Sequence, residues 1–273
     1  SGPGHAPFVR PHLPAYAESL GPDYLSGFSA ISMLSQAVVP EDTEIYPELE
    51  NCMFTRFNKS HALTLHRPLR VVKKGERTWA VDGTPTDCVN LAICRLLADA
   101  RPDFVFSGIN QGPNLGDDVT YSGTVAAAFE GTLLGVPSIA FSLDLMPDGS
   151  RPADFTEAGR VAEEVIRLAA ARSMGEEILW NVNIPSGKPA GIRATRMGRR
   201  RYGESVVEKT DPRGRPYFWI GGAHVDTHED GSDLTTVASG HVSVTPLHLD
   251  LTAYRALDDL ADRLREAGAD GAE

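Results

Sequence analysis

From about residue 61 onward the chain becomes regular, and short apolar runs alternate with longer stretches of helical periodicity. Apolar runs that predict buried strands lie at 104–106, 137–143, 178–184 and 242–247. Apolar residues at helical spacing predict helices over 86–99, 123–134, 155–171 and 252–267. Strands that alternate with helices in this way predict an α/β fold, with a Rossmann-like, mostly parallel sheet and helices on both faces.

Two regions depart from this alternation and predict antiparallel structure. The β-rich runs at 68–72 and 77–81 flank a polar turn, which predicts a hairpin. Residues 191–240 mix short β-like runs with charged loops, and they include the aromatic run Tyr217-Phe218-Trp219. We expect this region to form an antiparallel C-terminal arm that packs against another subunit.

The first 60 residues follow neither pattern. Prolines interrupt this segment at positions 3, 7, 11, 14, 22, 40 and 47. Phe28, Ile31, Leu34 and Val38 fall near helical spacing, and we predict no buried strand here. We therefore divide the chain into a divergent N-terminal segment, 1–60, and an α/β domain, 61–273, in which 191–240 is the oligomerisation arm.

Composition narrows the class of protein. The chain has 273 residues, of which 41% are hydrophobic, so it can bury a sizeable core. It contains no apolar stretch long enough to span a bilayer, and its first residues lack the basic and apolar regions of a signal peptide. Three cysteines without a CxxC pair indicate a reducing compartment, so we expect a cytoplasmic protein. Because Ser1 is not an initiator Met, we expect a processed or truncated start.

The net charge of the chain limits which kinds of molecule it can bind. The net charge of −11 repels nucleic-acid backbones and argues against long DNA or RNA as a partner. A small phosphorylated substrate stays compatible with this charge, because local backbone amides and a metal ion can outweigh the global field.

The segment that carries candidate chemistry runs from Ser107 to Thr124, between a predicted buried strand and a helix. Four glycines there let the backbone approach a ligand closely. Asn110 and Asn114 offer carbonyl oxygens of the kind that hard cations bind. Ser122-Gly123-Thr124 opens the helix, where free N–H groups and two hydroxyls can bind an anion. We expect these residues to line one phosphate-binding pocket at the carboxyl ends of the strands.

The sequence gives weaker support for a functional role of the other polar groups. Asp117 and Asp118 could bind a metal, although a solvated or indirect role is favoured. The turn 82–88 reads equally well as a helix start, capped by Thr86 or Asp87, and as a wall of the same pocket. The eight histidines lack metal-ligand spacing, and His61, His66 and His248 are interpreted as surface or structural residues.

Several of these motifs, in order, resemble the SurE family. They are Asp82-Gly83-Thr84-Pro85-Thr86-Asp87-Cys88, Ser107-Gly108-Ile109-Asn110 with Gly112 and Asn114, Tyr121-Ser122-Gly123-Thr124-Val125 with Glu130-Gly131, and Val242-Ser243-Val244-Thr245-Pro246-Leu247. The resemblance covers roughly residues 60–265. It implies a Rossmann-like 5'/3'-nucleotidase that hydrolyses nucleoside monophosphates and assembles as a dimer or tetramer with swapped or interlocked arms. It also implies a divalent cation, Mg²⁺ or Mn²⁺, held by two adjacent aspartates, a serine and an asparagine.

The resemblance assigns roles to individual residues. Asn110 matches the metal asparagine, and Asn114, Ser122, Gly123 and Thr124 match the substrate-binding loop and phosphate cradle. The serine nearest to the metal position is Ser60, although simple register places Phe57 there.

The family's acidic pair has no match. The family places it in an Asn-Asp-Asp-Gly motif after its first strand, and this motif is absent from the chain, so no catalytic residue is identified. Gly4-His5-Ala6-Pro7 resembles the residues that the family carries directly after that motif, which would put a lost or replaced strand ahead of residue 4.

Three functions remain open from sequence. The leading hypothesis is a metal-dependent phosphomonoesterase. The second is a non-catalytic nucleotide-binding or assembly protein of the same fold that has lost its metal site. The third is an unrelated α/β hydrolase that uses Asp117 or Asp118. Because the acidic pair is missing, we expect the chain to bind phosphate or a nucleotide weakly and to hydrolyse it poorly.

Overall fold

A computed structural model describes residues 30–34, 52–55, 63–75, 78–150, 152, 154–202, 206–220, 224–226 and 229–267. The strands of this part are β1 (Ala30–Leu34), β2 (Cys52–Thr55), β3 (Val71–Gly75), β4 (Thr78–Val81), β5 (Phe104–Gln111), β6 (Ser138–Leu143), β7 (Ile178–Ile184), β8 (Ile192–Ala194), β9 (Arg200–Tyr202), β10 (Val206–Thr210), β11 (Pro216–Ile220), β12 (His224–Asp226) and β13 (Val242–His248). The α-helices are α1 (Pro85–Leu91), α2 (Gly123–Leu133), α3 (Thr156–Ala171), α4 (Asp233–Ala238) and α5 (Tyr254–Glu266).

Within these residues, nine strands form one sheet in the order β3-β4-β2-β1-β5-β6-β7-β13-β8. Neighbouring strands are parallel, except at the pairs β3–β4 and β7–β13. The six strands from β4 to β7 in this order therefore all end at one edge of the sheet, the carboxyl edge. The predicted mostly parallel sheet and the predicted hairpin, β3–β4, are both confirmed.

Helices cover both faces of the sheet. Successive residues of β5 point to opposite faces, so Phe106 lies in the core beneath α3 and Val105 lies in the core beneath α1 and α2. β6 is buried along its whole length, since it is covered on both sides. No α-helix in the described part of the chain is long and apolar enough to cross a bilayer.

The N-terminal segment corrects the sequence-based prediction. β1 lies in parallel between β2 and β5, in the middle of the sheet. The prediction is therefore wrong in leaving this segment without a strand of the main sheet, and the helical spacing of Ile31 and Leu34 was misleading. A five-residue run is too short for periodicity to separate strand from helix, and the strands on either side decide its conformation. A strand ahead of residue 4 is not needed to fill this place in the sheet.

β1 and β2 also pair with strands that come after residue 60. The division into a segment 1–60 and a domain 61–273 stays a prediction about divergence in sequence.

The predicted antiparallel arm is present, in a narrower form. β10 pairs with β11, and β9 pairs with β12, both antiparallel. Within 191–240, β8 instead joins the main sheet beside β13, and α4 contacts β13. We call residues 200–226 the arm; its role in assembly stays a prediction.

The start of α1 shows why that helix forms. Thr84 is its N-cap: the Thr84 hydroxyl accepts a hydrogen bond from the N–H of Asp87, and the Asp87 carboxylate accepts one from the N–H of Thr84. Pro85 occupies the first helical turn, where a missing N–H costs nothing. The prediction of Thr86 or Asp87 as the cap is thus wrong by two or three positions. A π-helix, Ala92–Leu96, comes directly after α1.

Candidate functional site

The candidate loop lies at the carboxyl edge of the sheet. It leaves β5, passes through a 3₁₀ helix at Gly116–Tyr121 and enters α2 at Gly123. The N–H of Gly112 donates to the carbonyl of Leu143 at the end of β6, which holds the start of the loop against the neighbouring strand. Carboxyl edges of parallel sheets are the usual ligand sites of this fold class.

Asn110 lies at the end of β5 and is almost buried. Its side-chain nitrogen Nδ2 donates to the carbonyl of Gly112 over 2.8 Å. The other side-chain atom, the amide oxygen Oδ1, is of the type that divalent cations bind. Two residues earlier, Gly108 has φ +123°, and a Cβ there would lie 2.3 Å from the carbonyl oxygen of Phe141. Only glycine fits this approach of β5 to β6.

Asn114 anchors the loop to the strands beneath it. Its N–H donates to Oδ1 of Asn183 over 2.8 Å, and its Nδ2 donates to the hydroxyl of Ser142 over 2.6 Å. Its carbonyl accepts hydrogen bonds from Nδ2 of both Asn181 and Asn183. Contact of Asn114 with a substrate therefore stays a prediction, because the structure gives its side chain a structural partner.

Asn181, Asn183 and Ser142 were missed by sequence reasoning. All three are fully buried in strands that otherwise carry apolar residues. Buried amides need hydrogen-bond partners, and the backbone of Asn114 supplies them for Nδ2 of Asn181 and for both side-chain atoms of Asn183. The alternation of two asparagines inside the apolar run of β7 was the available indication of a buried polar network.

The start of α2 carries the predicted phosphate cradle. Ser122 is the N-cap, and its hydroxyl accepts a hydrogen bond from the N–H of Val125 over 3.1 Å. Gly123 and Thr124 form the first turn and are buried. The first amides of a helix have no acceptor within the helix, and the positive end of the helix dipole favours an anion there. This cradle and Asn110 lie in the same β5–loop–α2 connection; their contact with one ligand stays a prediction.

Asp117 and Asp118 both bind Arg200, which lies at the base of the arm. The Asp117 carboxylate accepts a hydrogen bond from the N–H of Arg200, over 2.9 Å. The Asp118 carboxylate forms an ion pair with the Arg200 guanidinium, also over 2.9 Å. The Arg200 side chain is 9% exposed and that of Asp118 is 16% exposed, so this pair is mostly shielded from water. The favoured indirect role of these acids fits this arrangement better than direct catalysis.

Asp144 is a further carboxylate at this edge that sequence reasoning missed. It comes directly after β6, and its N–H donates to the carbonyl of Ile184 over 2.8 Å. Partial burial raises the pKa of the Asp144 carboxyl; the hydrogen bond from the Leu145 N–H and the charge of Arg200 act in the opposite direction. No motif marked this residue.

The turn 82–88 has structural partners throughout. Asp82 pairs with Arg67 and accepts a hydrogen bond from the N–H of Arg70, which is the main cause of its lowered pKa. Asp87 is buried and also accepts two hydrogen bonds from Thr64. These contacts favour a structural role for the turn over a pocket wall.

The predicted surface role fits two of the three histidines. His66 and His248 are exposed. Ser60, Phe57 and His61, which bear on the predicted metal site, lie outside the described residues.

The described residues do not complete a divalent-cation site. Among them, no group of three or more His, Cys, Asp or Glu side chains is arranged to hold a metal ion. Asn110 supplies one oxygen of the expected type. In the sequence, the residues directly after β1, 35–40, contain no carboxylate.

Comparison with known proteins covers most of the chain. The family model described as "Survival protein SurE" matches residues 55–204. A "5'-nucleotidase SurE" of Anaeromyxobacter dehalogenans is 56% identical over 196 residues, which are 71% of this chain and 76% of the relative. One of Pelobacter propionicus is 47% identical over 224 residues, 81% and 87% of the two chains. The crystal structure of the SurE protein from Aquifex aeolicus superposes with a TM-score of 0.70 at 35% identity, over 94% of this chain and 95% of that one.

Proposed function

The chain belongs to the SurE family, and on that premise we propose that it is a 5'/3'-nucleotidase, which hydrolyses nucleoside monophosphates to nucleoside and inorganic phosphate. The observation that carries the proposal is the loop from Asn110 to Thr124 at the carboxyl edge. Its glycines, its amides and the hydroxyls at the start of α2 are the groups that typically bind a phosphate ester in a protein. The matching family model spans the whole of this loop, and the relatives named above are nucleotidases by name.

Each part of the loop has a proposed task. The first turn of α2, with the hydroxyl of Thr124, holds the oxygens of the phosphate. The buried network around Asn114 keeps the loop in one conformation before substrate arrives, so that little ordering is left for the reaction itself. Asn110 contributes an oxygen toward a divalent cation.

We propose that activity depends on a divalent cation, Mg²⁺ or Mn²⁺, by the resemblance to the family. Such an ion would polarise the phosphoryl group and activate water. No group of three or more His, Cys, Asp or Glu side chains among the described residues is arranged to hold a metal ion, and residues 35–40, directly after β1, contain no carboxylate, so we assign no catalytic step to the ion.

A phosphate-release assay tests the proposal. The purified chain is incubated with 5'- and 3'-nucleoside monophosphates, with Mg²⁺, with Mn²⁺ and with a chelator. Slow release that increases with metal and disappears with chelator supports the proposal. Binding of a nucleotide without release under any condition would favour the non-catalytic alternative of the same fold.

We further propose that the chain assembles as a homodimer or homotetramer through the arm. In the isolated chain Phe218 and Trp219 are 59% and 62% exposed. They are consecutive residues of β11, so each side of the two-stranded ribbon carries an exposed aromatic ring. Exposed aromatic residues are typical of an interface. Light scattering of the wild type and of a variant with Phe218→Ser and Trp219→Ser tests this, with Leu168→Ser on α3 as the exposed apolar control. A wild type that is monomeric at working concentration rules out this assembly.

The cytoplasmic location stays a prediction.

A further inference from the structure

One buried carboxylate joins the phosphate-binding loop to the base of the arm. Asp233 is the first residue of α4 and is fully buried. Its Oδ2 accepts a hydrogen bond from the N–H of Gly116 over 2.8 Å. Its Oδ1 accepts hydrogen bonds from the N–H of Gly198, over 2.7 Å, and of Leu234, over 2.8 Å. Gly116 belongs to the loop, and Gly198 lies two residues before β9.

Loss of this link would be costly. Hydrogen bonds from N–H groups to a carboxylate are stronger than those between neutral groups. Loss of Asp233 would leave both the loop and the arm base with a buried N–H that has lost its acceptor, which destabilises the folded state.

Backbone packing at the same place shows that the link is tight. Gly116 has φ +52°, and a Cβ there would lie 2.9 Å from the carbonyl oxygen of Gly198. A Cβ on Gly198 would lie 2.6 Å from Cδ1 of Leu234. Loop, arm base and α4 therefore meet in direct contact: a Cβ at Gly116 would meet backbone, which cannot give way, and a Cβ at Gly198 would meet the end of the Leu234 side chain.

A second contact runs in parallel with the first. Arg200 at the start of β9 binds both Asp117 and Asp118 in the 3₁₀ helix. The 3₁₀ helix leads directly into Ser122, the N-cap of α2. A displacement at Gly116 or at Arg200 would thus reach the helix start that is proposed to hold phosphate.

We propose that Asp233 is a positioning residue for the phosphate-binding loop, which it fixes to the base of the arm through the backbone of Gly116 and Gly198. The effect on phosphate binding rests on the proposed function of the loop, whereas the mechanical link does not. Asp233 itself touches no substrate in this proposal; it acts through the 3₁₀ helix and the start of α2.

The test compares two adjacent substitutions. Asp233→Asn keeps the size of the side chain but offers one acceptor oxygen in place of two. Ser232→Ala is the control, because Ser232 caps the same helix without bonding the loop. Loss of a helix cap lowers the stability of the folded protein. Both variants should therefore lower Tm, and only Asp233→Asn should change the loop.

Hydrogen exchange provides the first readout and needs no substrate. We expect Asp233→Asn to accelerate amide exchange in peptides that cover 114–122 and 196–200, and Ser232→Ala to leave these peptides close to wild type. Equal exchange in the two variants would overturn the proposal. If Asp233→Asn does not fold, NMR exchange of the wild type decides: Gly116 and Gly198 amides must both be protected, and exchange of either at the rate of a free amide contradicts the link.

Phosphate binding provides the second readout. We expect Asp233→Asn to raise KM for a nucleoside monophosphate, and the inhibition constant of inorganic phosphate, by roughly tenfold, as loss of one such hydrogen bond implies. kcat should change less. A wild-type protein without phosphatase activity would contradict the proposed function and leave the exchange comparison intact. An exchange effect with unchanged phosphate affinity would overturn the positioning role.

Discussion

The carboxyl edge of this sheet has two halves that differ in the residues that follow their strands. In the half formed by β5 and α2, the strand and the loop are present, and the matching family model spans both. In the half formed by β1 and β2, the strands are in place, yet the residues directly after β1 contain no carboxylate. A strand position in the sheet is therefore compatible with a following segment that carries no carboxylate.

The physical reason lies in what each half requires. A strand in the middle of a parallel sheet is held by backbone hydrogen bonds to both neighbours, which many sequences can form. A site for a hard cation such as Mg²⁺ needs several oxygen ligands, carboxylates among them, that surround a single point. The loop half is further constrained by Asn114, whose hydrogen bonds engage buried partners on two strands.

Restoring the missing chemistry should have the largest effect on this comparison. We expect Ser35→Asn, Gln36→Asp, Ala37→Asp and Val38→Gly, made together directly after β1, to raise metal-dependent phosphate release by orders of magnitude. The reason is that two carboxylates would join Asn110 near the same edge. Phosphate release with and without chelator measures it.

The control for this variant replaces residues 36 and 37 by Asn in the same background, which keeps the shape and removes the charge. Full chelator-sensitive turnover by the unaltered chain would contradict the transfer of the metal site from the family. In that case Asp117 and Asp118 become the first residues to test.

Within the intact half, Gly108→Ala should cause the largest loss of stability. A Cβ at this position meets the carbonyl of Phe141 and is also strained by the positive φ, so we expect a loss of about 3 kcal/mol or more in the free energy of unfolding. Gly149→Ala is the matched control, because Gly149 has φ +78° and open space around it. Its cost should be about 1–2 kcal/mol. Equal losses in urea unfolding would show that β5 can move away from β6.

The cradle should respond to loss of a hydroxyl. We expect Thr124→Val to raise KM for a nucleoside monophosphate by roughly tenfold, because a hydrogen bond to a charged phosphate is lost. Thr132→Val is the control: this hydroxyl is also buried in α2, and it donates to the carbonyl of Ala128 within the helix. Initial-rate kinetics on both variants measure the difference. An equal rise in KM would point to the helix as a whole and away from its first turn.

The smallest expected effect concerns Asp144 and pH. Its folded-state pKa lies above the ordinary value of 3.8, so ionisation disfavours the folded state. The stability that the protonated form provides is present below pH 3.8 and is lost as pH rises through the folded pKa. Asp144→Asn should therefore raise the free energy of unfolding at pH 7 by less than about 1 kcal/mol, given partial exposure. Urea unfolding at about pH 7 and about pH 3.5 checks it; a gain that persists at the lower pH contradicts the electrostatic cause.

Much of the fold could be predicted from the local pattern of apolar residues. In those segments the conformation that the pattern favours is also the one that the surrounding structure requires. The run at 178–184 coincides with β7, and the run at 242–247 with most of β13. β1 could not be predicted, because its five residues are specified by β2 and β5 on either side. The cap of α1 was misplaced, because Thr84 and Thr86 are both plausible caps in sequence and only the hydrogen bond to Asp87 distinguishes them.

The candidate site divides in the same way. The order of Asn110, Asn114 and Ser122 along the chain, between a buried strand and a helix, is a property of the sequence by itself, and so is the absence of a carboxylate at 35–40. Only the tertiary structure brings Asp233, 117 residues away in the chain, against Gly116, and Arg200 against Asp118. Local spacing encodes which groups a loop carries, since neighbours in sequence share one strand or helix. The partners that hold that loop come from distant segments, and their positions are set by how the whole sheet and its arm fold together.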